Sequence, residues 1–291
     1  MAWLAQFDWL HAFAGLMVGT LVGLTGVGGG SLMTPLLVLL FGVNPKTAVG
    51  TDLLYAALTK TFGSAIHGWK ETVDWRIFRL LATGSVPAAL GSVATLQYFG
   101  NIGKDTEQLI LLVLGGMLLL TAMATLFQKK LVAYAGEHNE MRLRQARVPT
   151  ILLGATIGVL VSVSSVGAGA IGVTALLMLY PRLPVSRIVG TDIVHAVPLA
   201  LVAGAGHWFF GDVDLMLLGN LLIGSIPGVI IGSLLSTRAS DSILRPALAC
   251  VLTISGWQLM TKATAKGKAE AAHAAKALPA AAIPVPGPKL P

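Results

Sequence analysis

The sequence predicts an all-α polytopic membrane protein built from two four-segment repeats in inverted arrangement, each opening on a glycine-broken segment. Three observations carry that expectation. Of 291 residues, 55% are hydrophobic and 11% charged, less than half the roughly 25% of charge found in soluble domains. Apolar runs long enough to cross a bilayer recur as far as residue 261. The chain also repeats itself at a shift of 140 residues. So few charges cannot coat a water-exposed surface, which excludes a soluble enzyme, a nucleic-acid-binding domain and a disordered chain. The excess of Lys+Arg 20 over Asp+Glu 13 lies between apolar runs, so it reads as cationic loops facing a cytoplasm, with no nucleic-acid partner. A single cysteine, Cys250, excludes a disulfide framework or a cysteine metal site.

A helical span needs about 20 predominantly apolar residues. By that measure the segments lie near 9–42, 47–68, 77–99, 106–127, 149–180, 186–209, 213–235 and 242–261. The first has no positively charged start and no small-residue cleavage site, so it reads as a retained span. The organisation is then a first repeat at 1–127, a basic cytoplasmic linker at 128–148, a second repeat at 149–261 and an Ala/Pro/Lys tail at 262–291. Glu140 and Arg144 have helical spacing in the linker, which fits a short surface helix. The tail has low-complexity composition and is expected to be disordered.

Segments 9–42 and 149–180 are too long for one span and too short for two. Each carries a cluster of small residues near its middle: Gly26-Val27-Gly28-Gly29-Gly30-Ser31 and Ser164-Ser165-Val166-Gly167-Ala168-Gly169. Glycine is costly inside a helix, and non-helical backbone at membrane depth survives only when buried or lining a cavity. Two half-helices meeting at a break fit, and so does a re-entrant hairpin.

The repeat is an ordered series. Gly50-Thr51-Asp52 returns as Gly190-Thr191-Asp192, His67 as His207, Asp74 as Asp214, and Gly84-Ser85-Val86-Pro87 as Gly224-Ser225-Ile226-Pro227. Such duplication is typical of secondary transporters. Loop charges point to inversion. Lys70, Arg76 and Arg79 in one loop face Asp212 and Asp214 in its counterpart, and the loops around Lys46 and Lys104 are poorer in bases than their partners. Inversion needs an odd number of crossings per half, as re-entry of the broken segment would supply. The linker would then be cytoplasmic and both termini outside, although Lys262, Lys266 and Lys268 favour the cytoplasm for the tail.

The run from Gly26 to Pro35, followed by Ala48-Val49-Gly50-Thr51-Asp52, resembles the sulfite exporter TauE/SafE family over roughly residues 10–260. In the second half the family's glycine triplet and proline are replaced by Gly167-Ala168-Gly169 and Thr174. The resemblance implies a multi-pass carrier in the bacterial inner membrane for sulfite or small organosulfonate anions, possessing no enzymatic activity.

The residues themselves allow more than one chemistry. The breaks are either close-packing sites for helices or an anion cradle, because a half-helix N-terminus presents unsatisfied N–H groups. The candidate substrate contacts are Gly28, Gly29, Gly30, Ser31, Thr51, Ser164, Ser165, Gly167, Gly169 and Thr191. No lysine follows the glycines as in a Walker A loop, and a helix rather than a strand precedes them, so no nucleotide cofactor is implied. Asp52 and Asp192 read as helix N-caps or as proton carriers, since an acid inside a membrane is costly and functional. Asp74 and Asp214 read as interfacial caps. His67 and His207, at the ends of apolar runs, and His195, deeper in its segment, are interface histidines or proton carriers. Lys60 either snorkels or balances a bound anion. No metal-ligand spacing occurs, and Trp residues near span ends fit an aromatic belt. The expected partners are a small anionic substrate and the lipid bilayer. A passive anion channel and a membrane scaffold protein remain the alternatives.

Overall fold

The computed structural model describes residues 8–25, 30–69, 73–100, 106–138, 146–167, 169–235 and 241–277. Among them the chain is all helical: α1 (Trp9–Thr25), α2 (Gly30–Leu39), α3 (Pro45–Trp69), α4 (Trp75–Gly100), α5 (Thr106–His138), α6 (Arg147–Ser164), α7 (Ala170–Leu179), α8 (Val185–Phe209), α9 (Leu215–Leu235) and α10 (Asp241–Ala277). Five of these, α4, α5, α6, α8 and α9, are long and apolar enough to span a membrane. Large apolar side chains such as Trp9, Phe13, Leu120, Ile230 and Trp257 point outwards. A water-soluble fold would bury them, whereas hydrocarbon accepts them.

Each glycine-broken segment forms two helices of unequal length that return to the end of the molecule they started from. His11, near the start of α1, lies against Phe41, just beyond α2, with ring centroids 4.5 Å apart. Likewise Thr150, near the start of α6, hydrogen-bonds Tyr180, just beyond α7, at 2.6 Å. Both segments are therefore re-entrant, from opposite ends. The first end carries Lys46, Asp212 and Glu107, and is called the Asp212 end below. The second gathers Ile77, Ala146, Tyr180 and Ile188 into one apolar cluster, and is the Tyr180 end. The helices α3, α4, α5, α8, α9 and α10 run between the two ends.

The halves interlock. α1 packs along α9 and α4 along α6, so each hairpin lies against a helix of the other half. Glycines make this possible. Gly15, Gly19 and Gly23 on α1 meet the backbone of Leu221, Ser225 and Val229, while Gly224, Gly228 and Gly232 on α9 meet that of Ala12, Leu16 and Thr20. A small residue every fourth position lets two helices approach until their backbones touch. The rising numbers on both sides show that α1 and α9 run parallel. Gly84 against Ile151, with Gly154 and Gly158 against Leu81 and Ser85, repeats this at the α4–α6 seam. Helices in corresponding places of the two halves instead run antiparallel: Gly115 of α5 meets Gly256 of α10 and Gly267 meets Gln108, while Gly204 of α8 meets Leu54 of α3 and Gly50 meets His207.

α5 continues without interruption to His138, through the first part of the linker; Glu140 and Arg144, where a short surface helix was expected, lie outside the described residues. The expectation of a disordered tail is corrected. α10 continues to Ala277, so the tail is helical well past residue 262. Alanine is the best helix former and lysine a good one. The extension is also tied down, with Lys262 donating to the Val38 carbonyl at 3.1 Å and Lys266 pairing with Glu107. The remaining tail, 278–291, lies outside the described residues.

The seams predict where volume is forbidden. Gly224→Leu should lower the melting temperature of the detergent-purified protein sharply or prevent its recovery, because its Cβ would fall on the Ala12 carbonyl. Gly91→Ala, with nothing within 4 Å of the added carbon, should melt at or above the native temperature, by up to about 1 kcal/mol of helix propensity.

Candidate functional site

The crossing of α3 and α8 places an aspartate from each half inside the molecule. Asp52 and Asp192 are buried, two turns into their helices, so neither is a cap. α3 starts earlier, at Pro45, where the Asn44 side chain accepts the Lys46 N–H at 2.9 Å, and α8 starts at Val185 after Pro184. Capping belongs instead to Asp74, which accepts from the N–H groups of Arg76 and Ile77, and to Asp214, which accepts from Met216 and Leu217. Asp52 Oδ2 accepts from the backbone N–H and hydroxyl of Thr34 on α2. Ser165 lies beside the same carboxyl, yet Asp52 Oδ1 and Ser165 Oγ have no hydrogen-bond partner. Asp192 in turn fills the space beside Gly172 of α7.

Around each aspartate the two halves trade hydrogen bonds at equivalent positions. Tyr55 on α3 bonds Ser225 on α9 at 2.6 Å, and His195 on α8 bonds Ser85 on α4 at 2.8 Å through Nε2. The duplicated Gly-Ser-x-Pro motif supplies both serines. Nearer the ends, the Thr51 hydroxyl accepts the Asp214 N–H at 3.1 Å, and the Thr191 hydroxyl accepts that of Asp74 at 2.8 Å. Two polar shells result. One holds Asp52, Tyr55 and Ser225; the other holds Asp192, His195 and Ser85. Lys60 is buried within electrostatic range of Asp192, Asp52 and His195.

The second break is built by backbone that side chains rarely allow. Ser165 ends α6 in the left-handed region at φ 57, and Gly167 and Gly169 have φ 120 and 136. Ser164 spends its hydroxyl on Leu160 and Val166 backbone, while Thr51 and Thr191 are committed to the contacts above. Ser165 is thus the hydroxyl at this break left to meet something else. In the first half Ser31 is buried and Gly30 opens α2; Gly28 and Gly29 lie outside the described residues, as does the side chain of His67. His207 is fully buried, with Nε2 2.9 Å from the Ser162 carbonyl. Among the described residues no group of three or more His, Cys, Asp or Glu converges on a metal position.

The Asp212 end carries a network with no counterpart among the described residues of the repeat. Asp212 receives Lys46 Nζ at 3.1 Å and the Gln97 amide, with His207 Nδ1 at 3.7 Å; Lys46 also donates to Gln97 Oε1 at 2.9 Å. Partial burial pushes the Asp212 carboxyl up, but the nearby His207 imidazole and the bonds from Lys46 and Gln97 outweigh it and hold the group below the ordinary carboxylate range. The sequence reading passed over Lys46, Gln97, Tyr55, Ser85 and Thr34. For Ser85 a signal existed, since its motif is duplicated; the others became visible only once distant helices met.

The sulfite exporter TauE/SafE family model matches residues 11–259. The chain is 42% identical over 250 residues to the probable membrane transporter protein YjnA of Bacillus subtilis (strain 168), covering 84% of this chain and 97% of that protein. It is 28% identical over 244 residues to probable membrane transporter protein YdhB of the same organism, covering 84% and 96%. A probable membrane transporter protein of Xylella fastidiosa (strain Temecula1 / ATCC 700964) is 30% identical over 236 residues, covering 79% and 85%. No solved structure matches the chain.

A carboxyl held below its ordinary value stabilises the fold above that value and loses the contribution as pH falls through the folded one. Asp212→Asn should therefore lower stability at neutral pH by about 1 kcal/mol, allowing for solvent screening. The gap to the native protein should close below the ordinary 3.8, as read by melting temperature against pH.

Proposed function

We propose that this chain, which belongs to the sulfite exporter TauE/SafE family, is a proton-coupled secondary transporter moving small sulfur oxyanions, sulfite or organosulfonates, across the bacterial inner membrane. The observation that carries this reading is the pair of re-entrant hairpins entering from opposite ends, each flanked by a buried aspartate from the α3–α8 crossing. Re-entry leaves three crossings per half, an odd number, which supports inverted repeats. So do the antiparallel pairs α5–α10 and α3–α8, because a two-fold that sets equivalent helices antiparallel lies across them. In transporters of this kind substrate sits where the discontinuous helices meet.

Arg76, Arg79, Arg147, Arg182, Arg187 and Arg245, the arginines among the described residues, fall in or next to the connections of the Tyr180 end, which supports that end as cytoplasmic. The lysines of the α10 extension lie at the opposite end, where Lys262 caps the carbonyl terminus of α2 and Lys266 neutralises Glu107. Those local tasks outweigh their pull toward the cytoplasm.

The half-helix N-termini at Gly30 and Ala170 offer N–H donors and positive dipole ends to an oxyanion. Coupling follows from charge: two buried carboxyls and one buried ammonium leave one negative charge over, and an unpaired buried charge is costly. A proton on one carboxyl removes the excess.

Labelled sulfite should accumulate above equilibrium in proteoliposomes with an imposed pH gradient, and the accumulation should collapse when the gradient is dissipated. Gly169→Leu, at φ 136, should abolish that flux in protein that still melts cooperatively; native flux in this variant would remove the break from the pathway. For orientation, a cysteine introduced at Glu140 in a Cys250→Ser background should react with an impermeant thiol reagent only after cells are opened, and one at Ala277 should react in intact cells.

A further inference from the structure

The two polar shells are equivalent by repeat but not by charge. The shell nearer the Tyr180 end holds Asp192, His195 and Ser85, with Lys60 beside it; the corresponding positions of the other are Asp52, Tyr55, Ser225 and Ala200. Among the described residues Lys60 is the buried Lys or Arg. The antiparallel register in which Gly204 meets Leu54 carries Lys60 to the level of Pro198, one turn from His195. Pro198 has no N–H to give, so it cannot supply the helical donor to the Val194 carbonyl. α3 has Leu58 at the matching position. Lysine, histidine and a proline without a donor therefore lie within a turn of one level of the molecule, and on one side of the pseudo-symmetry.

We propose that Lys60, His195 and Ser85 form the seat of the transported anion, and that the anion takes Lys60 from Asp192, which binds a proton in exchange. This rests on the reading above that the cargo is a small oxyanion. An ammonium with three donors, a serine hydroxyl and an imidazole match an oxyanion's acceptor oxygens. In the other shell Ala200 stands at the position equivalent to Lys60, so an anion would meet Asp52 with no cation of that half. With the seat empty, Lys60 answers the charge of Asp192. When an anion arrives, two negative charges face one cation in a buried site, and the favourable resolution is a proton on the Asp192 carboxylate. When the anion leaves, Lys60 returns and the proton is released, so anion and proton travel together. Among the described residues, α7 carries no titratable group, α6 has Arg147 alone at the Tyr180 end, and α4 has Arg76 and Arg79 near that end and Tyr98 at the far one; Tyr55 of α3 is bonded to Ser225 in the other shell. From α3, Lys60 and Asp52 face the site.

The test is calorimetric titration of the full chain in nanodiscs with sulfite, and with isethionate as an anion that does not itself titrate. Each is run in two buffers of different ionisation enthalpy, so that protons taken up per anion are counted. The native protein should take up about one proton per isethionate. Lys60→Met should weaken binding about 10-fold or more, and Ser85→Ala by a smaller factor. Asp192→Asn should bind without proton uptake and with an affinity independent of pH. Because Lys60→Met strands a buried carboxylate, the neutral pair Lys60→Met with Asp192→Asn keeps the test open if the single variant misfolds; it should fold and bind neither anion. Native affinity in either Lys60 variant, or unchanged proton uptake in Asp192→Asn, would overturn the seat while leaving oxyanion transport intact. If the native protein binds neither anion, the substrate reading itself falls, and the seat with it.

Discussion

A helix that stops part-way through a membrane exposes polar backbone where no water can satisfy it. Much of this architecture answers that constraint. The two hairpins end inside the protein, so both must be enclosed by helices that cross fully. Enclosure at close range needs backbones that nearly touch, which is why Gly15, Gly19 and Gly23 face Gly224, Gly228 and Gly232 across one seam. The aspartates, buried from the lipid, can exist only because the same enclosure surrounds them with Thr34, Ser165 and Lys60.

The sequence revealed the large features because they are written in periodicity. Spans follow from apolar runs, and the duplication follows from Gly-Thr-Asp and Gly-Ser-x-Pro recurring at one spacing. Re-entry was left open because a broken segment looks alike whether it crosses or turns back; only the contacts of His11 with Phe41 and Thr150 with Tyr180 distinguish the two. Asp52 and Asp192 were read as possible caps because local sequence does not show that Pro45 and Pro184 start those helices two turns earlier. The tail was read as disordered from composition alone, although an Ala/Lys run becomes a helix when neighbours hold it. Hydroxyls were the least legible: Ser164 and Ser165 are adjacent and chemically alike, yet one is spent on its own helix and the other faces Asp52.

Duplication also clarifies which residues carry direction. Whatever the halves share, such as the Thr51–Asp214 and Thr191–Asp74 contacts, treats both ends alike. Whatever they do not share can tell one end from the other. Two departures stand out: Lys60 with His195 near one end, and Lys46 with Asp212 and Gln97 at the other. The first places the buried cation toward the arginine-rich end, and the second ties the ends of α3, α4 and α8 together at the opposite one.

The interlocking also constrains how such a molecule can move. In a simple inverted-repeat picture one sequence half rocks against the other. Here the closest seams join different halves, α1 to α9 and α4 to α6, and glycine-mediated backbone contact tolerates little sliding. Rocking of sequence halves would open both seams together. The units that can move as bodies are the mixed pairs, each a hairpin helix with its partner from the other repeat. Both pairs touch the α3–α8 crossing through a serine, Ser225 to Tyr55 and Ser85 to His195. Displacement of either pair is therefore felt first at the hydrogen bonds beside Asp52 and Asp192, where an anion and a proton would exchange partners.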